Sequence, residues 1–308
     1  MNDPSNQKRH RDQGSTEYFR QFWQHATAQD YAYPRVIPRT QWDLYEREKA
    51  RLVMRFLQQG AKHTGFVLEC GCGSAGMSVY LANQGYQVLA TDISGEALHI
   101  ARDNWIANAP KTAAAPSTLA IADVLHLPFT DAVFDVVMSY GLLEHFEERA
   151  LASSLQQMHR VLKPGGILLG DIVHNRFSAR KVAIWLNFAI SAVYHTLCGQ
   201  WRKVPSLYRG YFHAFYENNL GLAEWKDCLY RNGFVDVHIL CIRPFPPLAI
   251  TGALEKLYIR LMEALLPFYR WFDESQSWLS RHWGWTYLFC ATKPAEGCEN
   301  ESRYRTRQ

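Results

Sequence analysis

A glycine-rich loop constrains the fold of this chain more than any other feature. Gly71, Gly73 and Gly76 follow the spacing G-x-G-x-x-G, and they stand between a short apolar run at 66–68 and a helical pattern at 78–83. Glycines allow the backbone to approach a ligand closely, and the first turn of a helix presents unpaired N–H donors. A strand, a glycine loop and a helix in this order indicate a ligand-binding α/β fold. By themselves they suit a dinucleotide as well as another cofactor.

Short apolar runs alternate with helical patterns around this loop. The predicted strands are 66–68, 87–91, 118–122, 134–139 and 167–173, and the predicted helices are 41–59, 78–83, 96–105 and 149–161. Strands that alternate with helices predict a parallel sheet that is covered on both faces. The 308 residues are enough for one such domain with insertions.

The alternation breaks after residue 173. We expect the following organisation: 1–40, an N-terminal tail and aromatic arm; 41–175, the core; 176–216, a helical cap insertion; 217–244, the core continued, with a helix at 222–231 and a strand at 234–242; 245–283, a second insertion of one or two helices; 284–294, the last core strand, at 286–292; and 295–308, a disordered tail. A late strand, a long excursion and a final strand predict an antiparallel hairpin at the edge of the sheet.

Acidic residues at three predicted strand ends help to decide between cofactors. Glu69 precedes the glycine loop by two positions, where it would repel a pyrophosphate. It would favour a cofactor without phosphate whose end is cationic, such as S-adenosylmethionine with its ammonium and sulfonium. Asp92 can accept both hydroxyls of a ribose, which either cofactor type has. Asp123 can accept from an adenine amino group with Val124 against the ring, or it can simply cap a turn.

Five segments in this order resemble the class I S-adenosylmethionine-dependent methyltransferases, in their broad small-molecule branch. They read LECGCGSAG, ATDIS, IADVLHLPF, FDVVMSYGLLEHF and VLKPGGILLGD, and they lie between Val67 and Val173. The resemblance implies a Rossmann-like, doubly wound α/β sheet of seven strands in the order 3-2-1-4-5-7-6, with strand 7 antiparallel and helical cap insertions. It also implies an enzyme that uses S-adenosylmethionine and releases S-adenosylhomocysteine.

The resemblance assigns cofactor contacts to individual positions. The positions that match the family's cofactor site are Glu69, Gly71, Cys72, Gly73, Gly76, Asp92, Ile93, Asp123, Val124, Ser139, Tyr140 and Gly141. It places Asp92 at the ribose, Ile93 and Val124 against adenine, and the segment 139–141 at the methionine end. We interpret Cys72 as a packing residue, since the family accepts small or modest residues there.

Catalytic residues are harder to identify, because methyl transfer mainly requires alignment and exclusion of water. An oxygen nucleophile needs a base, whereas an amine needs only to be neutral. His145, which follows the fourth strand in an E-H pair, is our candidate base, and a structural histidine or a substrate contact stay open as alternatives. His213 and Tyr216 are further candidates, although core packing explains the aromatic residues there as well. We predict no metal, because Gly141 stands where a metal-dependent relative would carry an acid.

The two insertions predict a bulky apolar or lipid-like small-molecule acceptor that is methylated on O or N. Residues 182–201 carry no formal charge, and basic pairs flank them on both sides. Asn187, Ser191 and His195 form a polar stripe along this segment, which favours an amphipathic helix over a membrane span. Two interpretations stay open for this helix: a cap over the cofactor cleft, and peripheral contact with an anionic membrane surface.

Composition and charge limit the remaining alternatives for the function and the location of the protein. A net charge of +4 without a basic stripe gives no reason to expect nucleic acid as a partner. A methyltransferase of RNA or protein, a non-catalytic member of the family and a nicotinamide oxidoreductase remain as lesser alternatives. The seven cysteines form no disulfide framework, and the N-terminus is polar, so we expect a cytoplasmic protein.

Overall fold

A computed structural model of the chain describes residues 23–24, 33–60, 64–108, 118–173, 178–213, 216–218 and 220–295, without the side chains of residues 212 and 213. Its strands form one sheet of seven in the order β3-β2-β1-β4-β5-β7-β6. They are β1 Phe66–Cys70, β2 Gln87–Asp92, β3 Thr118–Ile121, β4 Phe134–Tyr140, β5 Leu162–Val173, β6 Val235–Ile242 and β7 Thr286–Thr292. Only β7 runs antiparallel to its neighbours. The predicted fold class and strand order are therefore confirmed.

Ten helices accompany the sheet in the described ranges. They are α1 Gln41–Gln59, α2 Gly76–Asn83, α3 Gly95–Asn108, α4 Glu148–Val161, α5 Ala179–Leu197, α6 Val204–His213, α7 Leu222–Arg231, α8 Ala253–Ala264, α9 Leu266–Ser275 and α10 Trp278–Trp283. The start of α1 is fixed by a capping box, in which the Thr40 hydroxyl accepts from the N–H of Asp43 and the Asp43 carboxylate accepts from the N–H of Thr40. None of these helices is long and apolar enough to cross a bilayer.

The core lies on both faces of the sheet, because successive side chains of a parallel strand point to opposite sides. On β4, Val137 packs into a cluster with Leu155 of α4 and Trp225 of α7. Its neighbour Val136 packs into the other cluster with Phe56 of α1. Both layers are closed to solvent, so the strands are held rigidly and their carboxyl ends are fixed relative to one another.

The parallel strands end at one edge of the sheet, where the order changes between β1 and β4. Leu68 and Glu69 of β1 pair with Val137 and Met138 of β4, so the glycine loop and the loop after β4 start side by side. The carboxyl edge at such a change of strand order is where α/β sheets bind ligands. The candidate site is therefore at this edge.

The second insertion and the start of β5 differ from the sequence prediction. We expected one or two helices between 245 and 283, and the structure has three, α8 to α10. We expected β5 to begin near residue 167, but Leu162 already pairs with Phe134, before the register shifts to Ile167 opposite Val136. The turn at 162–166 is thus an irregular opening of the strand, with Gly165 at φ +71°.

Candidate active site

The glycine loop turns sharply against the segment that follows β4. Gly71 has φ +67°, and a Cβ there would lie 2.7 Å from the side chain of Leu142. The N–H of Cys72 donates to the carbonyl of Thr91 over 2.9 Å, which ties the loop to β2. Cys72 is buried, in agreement with the packing role that we predicted for it. Only a glycine at position 71 allows this backbone path without strain.

Asp92 holds two loops of the site together. One carboxylate oxygen accepts from the N–H of Gly73 over 2.9 Å, and the other accepts from the N–H of Ser94 over 2.9 Å. Burial raises the pKa of this carboxyl group, and its three backbone hydrogen bonds oppose that shift. A carboxylate offers about four acceptor positions, so Asp92 can still accept from a ligand beside these bonds.

An open pocket lies next to Asp92. Its volume is about 340 Å³, and it is lined by Ile93, Ser94, Gly95, Glu96 and His99. The side chain of Ile93 is 60% exposed, which is unusual for an isoleucine that follows a buried strand directly. The arrangement leaves an apolar surface free beside the carboxylate.

Asp123 caps the short 3₁₀ turn Val124–His126. One of its oxygens accepts from the N–H of Leu125 over 2.9 Å, and the other lies 3.0 Å from Nδ1 of His126. The turn-capping interpretation thus describes what this carboxylate does in the structure. Val124 is buried behind it, and the adenine contact of both residues stays a prediction.

Glu69 is more enclosed than the sequence indicated. Its carboxylate is buried and accepts from the hydroxyl of Ser78 on α2. Burial raises the pKa of Glu69 to about 7, against the opposing effects of Ser78 and of the Lys49 ammonium. The group is therefore near its midpoint at neutral pH, where a cationic ligand would shift it toward the carboxylate form.

Lys49 of α1 is a central residue that the sequence analysis missed. Its ammonium lies 2.8 Å from Glu46 and 3.1 Å from Asp171 at the end of β5. It also stands 4.6 Å from the ring centre of Tyr140. Arg243 reaches the same cluster through Glu46, at 2.8 Å. A buried charge network therefore underlies the edge between β4 and β5.

The end of β4 has a hydroxyl group without a hydrogen-bond partner among the described residues, and open space beside a glycine. The Ser139 hydroxyl is buried, and it has no hydrogen-bond partner among the described residues. Gly141 has φ +64°, and a Cβ there would meet no atom within 4 Å. Among all the residues that the structure describes, no group of three His, Cys, Asp or Glu side chains is arranged to hold a metal ion.

His145 is held at the mouth of the first insertion. Its Nδ1 lies 2.9 Å from the carbonyl oxygen of Tyr216. Because a carbonyl only accepts, Nδ1 carries the proton and the basic lone pair of the neutral ring is on Nε2. Burial lowers the pKa of His145, which favours the neutral ring. The structure therefore brings His145 and the backbone of Tyr216 together, while His213 ends α6 and its side chain lies outside the described residues.

Glu144, beside His145, is a second residue that the sequence analysis did not single out. One carboxylate oxygen accepts from the N–H of Val173 over 3.3 Å, and the other is buried with no partner in the described part of the chain. Burial raises the pKa of Glu144 to about 8. Asn218 donates to the carbonyls of Leu143 and Phe146 and thereby clamps the end of the first insertion onto the same turn.

Trp23 is the third residue that the sequence analysis missed. A Cβ on Gly73 would lie 2.7 Å from carbons of the Trp23 ring, so the indole covers this part of the glycine loop. The aromatic content of the N-terminal arm was the only sequence signal for it. The loop is thus flanked by Leu142 on one side and by Trp23 on another.

Comparison with known proteins concerns the central part of the chain. Residues 68–170 match the family model described as a methyltransferase domain. The malonyl-[acyl-carrier protein] O-methyltransferase of Yersinia pestis is 31% identical over 116 residues, which cover 37% of this chain and 39% of that protein. The 2-phytyl-1,4-naphtoquinone methyltransferase of Nostoc punctiforme is 38% identical over 110 residues, which cover 34% and 45%. The matched segment thus spans less than half the length of these curated relatives.

A solved structure covers more of the chain at lower identity. Phosphoethanolamine N-methyltransferase 2 of Haemonchus contortus, in complex with S-adenosyl-L-methionine, aligns with 80% of this chain and 52% of its own, at 18% identity and a TM-score of 0.49. The match of 68–170 begins in β1 and ends in β5, so it contains the glycine loop, Asp92 and the end of β4. The part of the chain that contains these elements is therefore similar to a methyltransferase domain.

Proposed function

We propose that this protein is an enzyme that transfers the methyl group of S-adenosylmethionine to an O or N nucleophile of a bulky apolar or lipid-like small molecule. The observation that carries the proposal is the convergence of Glu69, the glycine loop and Asp92 at one edge of the sheet, inside the matched domain. When bound, the cofactor supplies an electrophilic methyl group on sulfur and leaves as S-adenosylhomocysteine.

The residues at this edge fit the cofactor in shape and charge. Asp92 would accept from the ribose hydroxyls, Ile93 and Val124 would lie against the adenine, and Asp123 would accept from the adenine amino group. Ser139, with its unpartnered hydroxyl, and Gly141, with the space beside it, face the methionine end. The carboxylate of Glu69 stabilises the ammonium by its charge from behind the loop.

His145 acts as the base when the acceptor atom is oxygen. Its Nδ1–H is held by the carbonyl of Tyr216, which orients the ring and leaves proton uptake to Nε2. The neutral ring that burial favours is the form a base requires. An amine acceptor would need this residue only to fix its position. His213 and the Tyr216 side chain stay candidates for acceptor contact.

The acceptor binds under the two insertions. Phe188 of α5 contacts Tyr208 and Tyr211 of α6 with ring centres 5.7 and 6.2 Å apart, so the first insertion is an aromatic helical hairpin. It follows β5 directly and is clamped to the turn after β4 by Asn218. The relatives from Yersinia and Nostoc, named for an acyl-carrier thioester and a phytylated quinone, support a small or carrier-bound acceptor with apolar character. The free cysteines among the described residues support a cytoplasmic location.

Isothermal titration tests the cofactor assignment. We expect wild-type protein to bind S-adenosylmethionine in the micromolar range and not to bind NADH, and we expect Asp92→Ala to lose binding by about 100-fold, since charge-assisted hydrogen bonds to two hydroxyls are removed. Asp103→Ala, on the exposed side of α3, is the matched control. Folded wild-type protein that does not bind S-adenosylmethionine would overturn the proposal.

Transfer of labelled methyl groups tests the activity itself. Quinols, hydroxylated lipids, acyl-carrier thioesters and apolar amines are offered in turn, together with RNA and protein fractions for the alternative acceptor classes. Label in an apolar small molecule is the expected result, with a His145→Gln variant losing rate mainly on hydroxyl acceptors. Tight cofactor binding without transfer to any acceptor would favour the non-catalytic alternative.

A further inference from the structure

The first insertion presents its apolar side to solvent. On α5, the side chains of Trp185, Val193 and Leu197 are 56%, 58% and 83% exposed. They form one face of the helix together with Leu186, Ala189 and Ile190. We call this set the outer face of α5. An exposed apolar face of this extent on a helix marks an interaction site.

The polar side of α5 is the one that faces the protein. Asn187 donates to the carbonyl of Pro247 and accepts from the N–H of Ala249. Ser191 lies 3.1 Å from the hydroxyl of Tyr211 on α6. Asn187 and Ser191 of the stripe that the sequence showed therefore attach the helix to its neighbours. A helix that packs against a domain normally buries its apolar face. Here the polar face packs against the domain, so the apolar face remains available to a partner.

The segment that carries the outer face contains charged residues of one sign. Residues 172–216 contain six Lys or Arg and no Asp or Glu, whereas the whole chain contains 33 Lys or Arg and 29 Asp or Glu. Arg180 is neutralised by Glu217, at 2.6 Å. Arg202 and Lys203 are exposed in the turn between α5 and α6, and Arg209 is exposed on α6. The partner of the outer face must therefore tolerate or prefer positive charge.

The second insertion repeats this arrangement. Leu254, Leu257 and Leu261 of α8 are exposed at helical spacing, with Lys256 and Arg260 between them. The acids of the same helix point back to α1, where Glu255 accepts from the N–H of Gln41 and Glu263 pairs with Arg47. Both insertions thus turn apolar and basic groups outward and bond their polar or acidic groups inward.

We propose that the outer face of α5, aided by that of α8, docks the protein onto an anionic lipid bilayer. Trp185 and Trp201 suit the interfacial layer of a bilayer, where indole rings are enriched, and the guanidinium of Arg202 stands 5.5 Å from the Trp201 ring centre. Phosphate headgroups supply the negative charge that the segment 172–216 lacks.

A second copy of the chain is a poorer occupant of this surface. A two-fold interface brings the same patch of each protomer together, so Arg202, Lys203 and Arg209 would meet a patch to which the segment 172–216 contributes no acid. The bilayer proposal does not depend on methyl transfer. Docking onto a bilayer would also bring an apolar acceptor that is dissolved in the lipid close to the first insertion, which follows β5 in the chain.

Vesicle flotation with the full chain tests the proposal. We expect the protein to float with phosphatidylcholine vesicles that contain phosphatidylglycerol and to remain behind with phosphatidylcholine alone. The double variant R202S/K203S should bind more weakly by on the order of 20-fold at low salt. W185S/L197S should bind more weakly by about tenfold or more, since apolar burial is lost. Ile106→Ser, an exposed apolar position on α3, should bind like the wild type.

Two outcomes would overturn the proposal. One is wild-type protein that stays unbound with anionic vesicles at low salt. The other is a dimer in sedimentation experiments that W185S/L197S dissociates, which would assign the outer face to a second copy. Titration with S-adenosylmethionine separates this test from that of the proposed function, because W185S/L197S and R202S/K203S should bind the cofactor like the wild type.

Discussion

The carboxyl edge of the sheet and the outer faces of the insertions use their polar groups in opposite ways. At the edge, Asp92, Glu69 and Lys49 are buried and bonded to other parts of the domain. On the insertions, apolar groups such as Leu197 are exposed, and the polar groups serve as attachments. This difference supports our two proposals: a ligand that the protein encloses at the edge, and a surface that the insertions only touch. Substitutions at the edge should therefore affect stability and cofactor binding together, whereas substitutions on the outer faces should affect neither.

The largest effect is expected at the charge network. Lys49→Met removes the cation between Glu46 and Asp171 and leaves Arg243 as the remaining cation beside these two carboxylates, which should lower the free energy of unfolding by about 3–5 kcal/mol. Urea denaturation measures this loss. Lys226→Met, on the exposed side of α7, is the control and should lose less than about 0.5 kcal/mol. Equal stability of the two variants would contradict the contrast between the two regions.

The next largest effect concerns the pH dependence of stability through Glu144. Its pKa is raised to about 8 in the folded protein, from an ordinary value of 4.5, so the folded state keeps a proton that the unfolded state releases. The free energy of unfolding should therefore fall as pH rises from about 5 to 8. Glu144→Gln is uncharged throughout, and its profile should be flatter by roughly 2–4 kcal/mol over this range. A wild-type profile that already rises over this range would refute the assignment.

A smaller effect of the same kind is expected for cofactor affinity. Glu69 has a pKa of about 7, and a cationic ligand favours its charged form. Binding of S-adenosylmethionine should therefore strengthen by up to about tenfold between pH 6 and pH 8 in the wild type. Titrations at several pH values measure this, with Glu69→Gln expected to show a flat profile and Glu263→Gln, which changes a solvent-exposed carboxylate paired with Arg47, to retain the wild-type slope. An unchanged slope in Glu69→Gln would place the titrating group elsewhere.

The sequence predicted those parts of the fold whose signals are local. The strand order was implied by the family resemblance that five motifs between Val67 and Val173 carry, and the helix at 41–59 followed from its own periodicity; both agree with the structure. Lys49 and Glu144 were missed because their partners, Asp171 and Val173, are 122 and 29 residues away and meet them only after folding. For α5 the periodicity revealed a polar stripe, but the direction of the stripe depends on the backbone of Pro247 and Ala249, which no helical pattern encodes.

Trp23 provides the smallest and most selective test, because it belongs to neither region and yet touches the glycine loop. Its ring carbons lie 2.7 Å from the position that a Cβ on Gly73 would take, so the ring covers the loop without taking part in the sheet. Trp23→Ala should weaken binding of S-adenosylmethionine by about fivefold, in line with the loss of one aromatic contact, while the thermal midpoint changes little. Trp278→Ala, 75% exposed on α10, should change neither quantity. If Trp23→Ala lowers the thermal midpoint as much as the affinity, the indole is a structural support of the loop. If only the affinity falls, the N-terminal arm forms part of the surface that encloses the ligand. The region that encloses the ligand then extends beyond the sheet, and only the insertions belong to the exposed region.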